Sequence, residues 1–175
     1  MCSSDLTAVG YSSLQFNTYG SNNAAFGYEA LYNNTTGSAN AAVGYQALYA
    51  NTTGVNNTAV GYSSLQSNTF GGDNTSIGYQ AMQLNVSGNY NIAVGGAALY
   101  NNTTGTANTA IGYRAAYNNT IGTNNTAVGY ESLYFNTTGA NNVAVGYFAL
   151  SANTTGRSEE HTLNSSHGYI SYAVF

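Results

Sequence analysis

Glycine recurs at positions 10, 27, 44, 61, 78, 95, 112, 129 and 146, nine times at an unbroken spacing of 17 residues. A second glycine ladder occupies 20, 37, 54, 71, 88, 105, 122, 139 and 156, and asparagine keeps the same register at Asn17, Asn34, Asn51, Asn68, Asn85, Asn102, Asn119, Asn136 and Asn153. Such a chain is a tandem array, in which each unit borrows its interior from its neighbours. A 17-residue period makes about 4.7 turns of a 3.6-residue helix, so a continuous helix would smear every column around its surface. Thr-Ala-Val-Gly-Tyr instead alternates with the period of a strand, and Asn-Thr-Thr-Gly supplies turn chemistry. The pattern predicts an all-β parallel β-solenoid, or β-roll, of about nine 17-residue coils. At ~4.8 Å per coil this is a rod on the order of 40 Å long. Tyr-x-Ala-Leu reads either as a short second strand or as a single helical turn.

Two apolar columns are the expected core. One precedes the first-ladder glycine: Val9, Phe26, Val43, Val60, Ile77, Val94, Ile111, Val128 and Val145. The other follows it by four residues: Leu14, Leu31, Leu48, Leu65, Met82, Leu99, Leu133 and Leu150, with Ala116 in the remaining unit. The small residues before the first column, Ala in eight units and Ser76 in the ninth, would then take the opposite face. The asparagines from Asn17 to Asn153 fit an internal ladder in which each amide bonds its copies above and below. The second-ladder glycines are expected to allow a positive φ at the turn. One unit cannot stand alone. Ordering a residue costs about 1–2 kcal/mol, whereas burying a Val or Leu returns about 1.5–3 kcal/mol, so inter-coil contacts must supply the difference.

Both ends depart from the period. Positions 6 and 159, where the unit's leading asparagine would fall, hold Leu6 and Glu159, and position 163 holds Leu163 instead of glycine. Residues 1–6 and 157–175 resemble translated adapter oligonucleotides of short-read sequencing libraries, which leaves 7–156 as the solenoid. Cys2, Arg157, Glu159, Glu160, His161 and His167 all lie in those flanks, and 7–156 contains no histidine, cysteine or lysine.

That scarcity restricts the chemistry. Charged residues are 5% of the chain, against about 25% in an average domain. A net charge of -4 with two basic residues disfavours nucleic acid or an anionic membrane as partner, and no apolar run reaches the ~18 residues of a membrane span. Glu29, Asp73 and Glu131 are too scattered to gather an oxygen cage for a metal. No titratable base accompanies the serines and tyrosines, so the expectation is a non-enzyme without cofactor. Asn34-Thr35-Thr36 and its copies match the N-glycosylation sequon, but turn and ladder account for them. The tyrosines after the first-ladder glycine, among them Tyr28, Tyr45, Tyr62 and Tyr79, suit either a structural column or a stacking surface for sugar rings. Threonines at 18, 35, 52, 69, 103, 120, 137 and 154 raise an ice-binding alternative, though the adjacent column is irregular.

Asn-Thr-Ala-Val-Gly, as at Asn57 to Gly61 and Asn125 to Gly129, resembles the short signature of the YadA-like head repeats of trimeric autotransporter adhesins. The longer Val-Gly-Tyr-x-Ala-Leu with Asn-Thr-Thr-Gly resembles repeats of tail-fibre-like surface proteins of bacteria and phages. The head repeats are shorter than 17 residues, and the added turn is what differs here. The resemblance implies a left-handed roll and a homotrimer, displayed on a bacterial cell surface or a phage particle. It further implies a structural spacer that engages a host surface or glycan. The alternative is an ice-binding or carbohydrate-binding β-solenoid.

Overall fold

The computed structural model describes residues 5–156. Residues 1–4 of the adapter-like stretch 1–6 and the whole of the stretch 157–175, with Cys2, Arg157, Glu159, Glu160, His161 and His167, lie outside the described residues. Nine three-residue strands form one parallel sheet: β1 (Thr7–Val9), β2 (Ala24–Phe26), β3 (Ala41–Val43), β4 (Thr58–Val60), β5 (Thr75–Ile77), β6 (Ile92–Val94), β7 (Thr109–Ile111), β8 (Thr126–Val128) and β9 (Val143–Val145). They pair in sequence order and in register, as in Ala41↔Thr58, Ala42↔Ala59 and Val43↔Val60. The chain is thus an all-β solenoid with one 17-residue step between neighbouring strands, and no helix occurs among the described residues.

Each strand ends at a first-ladder glycine, whose φ lies between +128° and +141°. A Cβ there would also collide with the carbonyl of the glycine one coil on. Backbone freedom and close coil-to-coil approach therefore both demand glycine.

Tyr-x-Ala-Leu is neither strand nor helical turn. Its second and fourth residues are left-handed, Glu29 at φ 52° and Leu31 at φ 51°, and the same pair recurs down the stack. The alternation aims successive amides in opposite directions along the rod. Glu29 N–H donates back to the Tyr11 carbonyl at 2.8 Å, and Leu31 N–H donates forward to that of Ala47 at 3.0 Å. A left-handed leucine costs about 1–2 kcal/mol, close to what burying it returns. The turn is thus held by its neighbours.

The core inverts one expectation. The Ala column is the buried one: Ala25, Ala42, Ala59, Ser76, Ala93, Ala110, Ala127 and Ala144 are fully enclosed. Val9, Phe26, Val43, Ile77, Ile111 and Val145 point outward at 37–58% exposure, and Val60, Val94 and Val128 are half-buried. Strand alternation requires the two columns to face opposite ways but does not say which faces in. The inner ends of the strands meet a second small column (Ala30, Ala47, Ser64, Ala81, Ala98, Ala115, Ser132) and the buried Leu31, Leu48, Leu65, Met82, Leu99 and Leu133. The interior of so short a coil takes a methyl or, at Ser76, a hydroxymethyl at the strand centre and not a branched side chain. Leu14 is buried at the first coil and Leu150 packs against the core at the last.

Two asparagine ladders complete the interior. In the first, each side-chain amide donates to the Oδ1 of its copy one coil earlier. Asn51 reaches Asn34 at 2.8 Å, Asn68 reaches Asn51 at 2.9 Å, and the run extends from Asn17 to Asn153. The same Nδ2 also meets the carbonyl of the second-ladder glycine three residues on, as Asn51 to Gly54 at 3.0 Å. The second ladder starts each unit. Asn40 accepts the backbone N–H of Asn57 at 2.9 Å, and its own Nδ2 donates to Gly54 O at 2.8 Å. Buried amides in this arrangement are satisfied by chain, as enclosure demands. The second-ladder glycines serve this network and not a positive φ. They are absent from the positive-φ glycines, and a Cβ at Gly54 would strike Asn51 Oδ1 and Gly71 O.

Candidate functional site

Outside this core the stack presents straight columns of repeated side chains. Along the strands, the outward Val, Ile and Phe column lies one glycine away from the first tyrosine column. Tyr11, Tyr28, Tyr45, Tyr62 and Tyr79 stack ring on ring, with centroids 5.0–5.4 Å apart and planes within 16°. Tyr113, Tyr130 and Tyr147 continue the column at 5.3–5.5 Å. A second column, not singled out in the sequence, stacks Tyr32 on Tyr49 and Tyr100 on Tyr117 on Tyr134 at 5.1–5.4 Å. Gln66 and Gln83 stand between those two runs, where Gln83 Nε2 donates to Gln66 Oε1 at 2.6 Å. The periodic tyrosines five residues after the glycine were the available signal for this column.

Stacking decides what the tyrosines can offer. Each ring in a run covers the faces of its neighbours, so Tyr28, Tyr45 and Tyr62 turn edges and hydroxyls to solvent, not the flat faces on which a sugar ring would rest. Tyr79 differs, because the next position in its column is Gly96. The gap is widened by Ala97, which follows where the flanking coils carry Gln80 and Arg114. The result is a cleft of about 150 Å³, with Gly96 at its floor, Tyr79 and Tyr113 at its ends, and Tyr100 and Tyr117 along its side.

Arg114 borders this cleft and is the one cation among the described residues. Its guanidinium carbon sits 5.1 Å from the Tyr113 ring centre and 5.5 Å from that of Tyr117, within cation–π range. Nη1 lies 3.6 Å from Glu131 Oε1, an ion pair too long to be a hydrogen bond. Elsewhere, the Glu29 carboxylate holds the Tyr28 hydroxyl above the usual phenol range, with burial adding to the effect. Burial first, then the Glu131 carboxylate, does the same for Tyr130.

Comparison with protein-family models, curated proteins and solved structures finds no match to this chain. The described residues hold no group of three or more His, Cys, Asp or Glu side chains able to gather a metal, and no helix long and apolar enough to cross a membrane. The threonine column is tied into the stack. Thr18, Thr35 and Thr52 hydroxyls donate to carbonyls one coil on at 2.8–3.0 Å, and Thr103, Thr120 and Thr137 do so at 3.0–3.1 Å.

Proposed function

We propose that this chain is a non-enzymatic segment of an extracellular fibre or adhesin, on a bacterial cell surface or a phage particle. It acts as a stiff spacer and as a surface for assembly and attachment. The observation that carries the reading is the outward placement of the large apolar strand residues. From Val9 to Val145 they make an unbroken apolar strip, flanked by exposed tyrosines, along the length of the rod. Nine coils at ~4.8 Å and five residues of width at ~3.3 Å give a face on the order of 700 Å². That is above the ~300–600 Å² of the largest apolar patch on a typical monomer and near the ~800 Å² per partner of a standard interface.

A second and third copy of the same chain is the occupant that fits. The strip is straight and repeats at the coil rise, so an identical rod matches it unit for unit. The resemblance to adhesin head repeats supports three copies. In such a bundle the remaining columns hold tyrosine edges, asparagines and threonines at fixed intervals, so that weak contacts to a host surface or glycan add by multivalency. Threonine hydroxyls already bonded within the stack weigh against the ice-binding alternative, which measurable thermal hysteresis would revive.

Light scattering on the full chain tests the assembly. The expected mass is three times the 18.2 kDa of one chain. Val43→Asp combined with Ile111→Asp should give monomers with unchanged far-UV circular dichroism. A wild-type chain that stays monomeric at every concentration would refute the proposal.

A further inference from the structure

We propose that the gap at Gly96 is a binding site for one planar aromatic ring bearing a carboxylate, taken up as a small molecule in the place of the missing tyrosine. The first tyrosine column is continuous for five coils, breaks for one, and resumes for three. Adjacent rings are one coil apart, so Tyr79 and Tyr113, two coils apart, span the place of one more ring, into which the Tyr113 edge now leans to 3.3 Å from where a Cβ at Gly96 would sit. The coil between them carries Gly96 and Ala97 where the coils on either side carry Tyr-Gln and Tyr-Arg, so the vacancy is a missing phenol side chain together with its neighbour.

Size agrees. A cleft of about 150 Å³ holds a single six-membered ring, as an apolar cavity of about that volume holds benzene. Within the column Tyr79 lacks a stacked ring on its inner side, while the Tyr113 ring, stacked on Tyr130, carries the Arg114 guanidinium. An entering flat ring would gain on Tyr79 the stacking contact that the rest of the column already makes, and would meet Tyr113 beside Arg114. The chemistry of the rim selects the substituent. Arg114 stands at the mouth, its guanidinium over the Tyr113 ring and 5.5 Å from the Tyr117 ring centre, and its contact with Glu131 engages one end of the guanidinium fork at a distance beyond hydrogen bonding. Its other donors match a carboxylate, while Gln80, which also lines the cleft, carries an amide that suits a polar ring substituent. A puckered pyranose lacks the flat faces that the stack would match.

The site is built from one chain, but its tyrosine column borders the strip assigned to assembly. The test is therefore run on wild type and on the monomeric Val43→Asp, Ile111→Asp chain, and binding by the latter stands whether or not the fibre reading does. The probe is 4-hydroxyphenylacetate, titrated into the full chain while the ring signals of Tyr79 and Tyr113 are followed by NMR. Saturable shifts confined to those rings and their neighbours are expected. Gly96→Tyr restores the residue that eight other units carry, at a backbone conformation without positive φ. The Tyr113 ring edge, 3.3 Å from where a Cβ would sit, has to swing back to the ring spacing that the rest of the column keeps. This variant should keep the circular dichroism of the wild type and lose binding at least tenfold. Tyr79→Leu, on an exposed column, should give an independent loss. Arg114→Gln should weaken 4-hydroxyphenylacetate to the level of p-cresol, which lacks the carboxylate. Equal binding to wild type and Gly96→Tyr would overturn the site. Glucuronate binding as tightly as the aromatic acid would overturn the ring class, and indifference to Arg114→Gln would overturn the carboxylate.

Discussion

Ala42→Val and Val43→Asp form a paired test of which strand face is inside. Ala42 is fully enclosed between Ala25 and Ala59 in the columns of neighbouring coils, whereas Val43 is 42% exposed. Adding two methyl groups at position 42 overfills a space that holds one, and overpacking of this kind costs about 1–3 kcal/mol. At about 2–4 °C per kcal/mol for a chain of this size, the midpoint should fall by roughly 2–12 °C. The loss resides in the single chain, so it should persist on dilution. Val43→Asp places a carboxylate in solvent and leaves the coil intact. Its effect on melting should fade as the protein is diluted below the assembly range, where wild type and variant are both monomers. The assay is thermal melting by far-UV circular dichroism at a series of concentrations, with hydrogen exchange at the β2, β3 and β4 amides to localise the damage. If Ala42→Val melts with the wild type while Val43→Asp unfolds at every dilution, the face assignment is reversed and the reasoning fails.

Asn85→Ala removes two donated bonds, to Asn68 Oδ1 at 2.8 Å and Gly88 O at 3.1 Å, and takes an acceptor from Asn102. Unpaired buried groups should cost about 1–3 kcal/mol in chemical denaturation. Ala107→Asn should stabilise the chain by about 0.5–1 kcal/mol, because Ala107 is exposed at φ 55° and Asn22, Asn56, Asn124 and Asn141 fill the same left-handed position; an unchanged or lower melting midpoint would contradict this. Glu29→Gln should bring the Tyr28 titration, followed by ultraviolet absorbance, down toward the ordinary phenol value of about 10. With the folded value raised, Tyr28 contributes stability that is complete below the unfolded value and lost as pH rises through the folded one. The variant should therefore show a weaker alkaline loss.

Most of the fold was legible because a period of 17 tolerates few solutions. The fixed spacing set the stack, the parallel register and the Asn17 to Asn153 ladder. It could not set the inward face, because alternation is symmetric under exchange of faces. The usual tie-breaker, that larger apolar residues go inside, fails where the coil is too narrow for Val43 to fit opposite Leu48. The ladder that begins with Asn23 was visible as a period but not as a network, since its partners are a carbonyl 14 residues ahead and an amide 17 residues on. The left-handed leucines were invisible for a different reason. Nothing in the residue type announces φ 51° at Leu31, and only the exchange of amides between coils holds it there. The cleft was written in the sequence as Gly96, the single exception among the tyrosines, but its size depended on Ala97 beside it.

In a stack of near-identical units the exceptions carry the information, and here most of them come in matched pairs. Ser76, alone in a column of alanines, has its hydroxyl 2.8 Å from that of Ser64, which stands where most units have alanine, and donates to Ala81 O at 2.9 Å. Gln66 and Gln83 replace two consecutive tyrosines and bond to each other. Arg114 meets Glu131 one coil on. Each of these departures meets a second within reach, as a buried or half-buried polar group favours, although Gln83 Oε1 is left buried without a partner. Gly96 is answered by a lean of the Tyr113 ring edge, which narrows the opening, and by the Arg114 guanidinium over the Tyr113 ring, neither of which restacks the column. A deletion of a whole ring from a continuous run forfeits two stacking contacts, and no second ring takes their place. A partner outside the chain is the remaining way to complete the column, which is why Gly96→Tyr, filling the vacancy from within, should raise stability slightly while abolishing uptake of the aromatic acid.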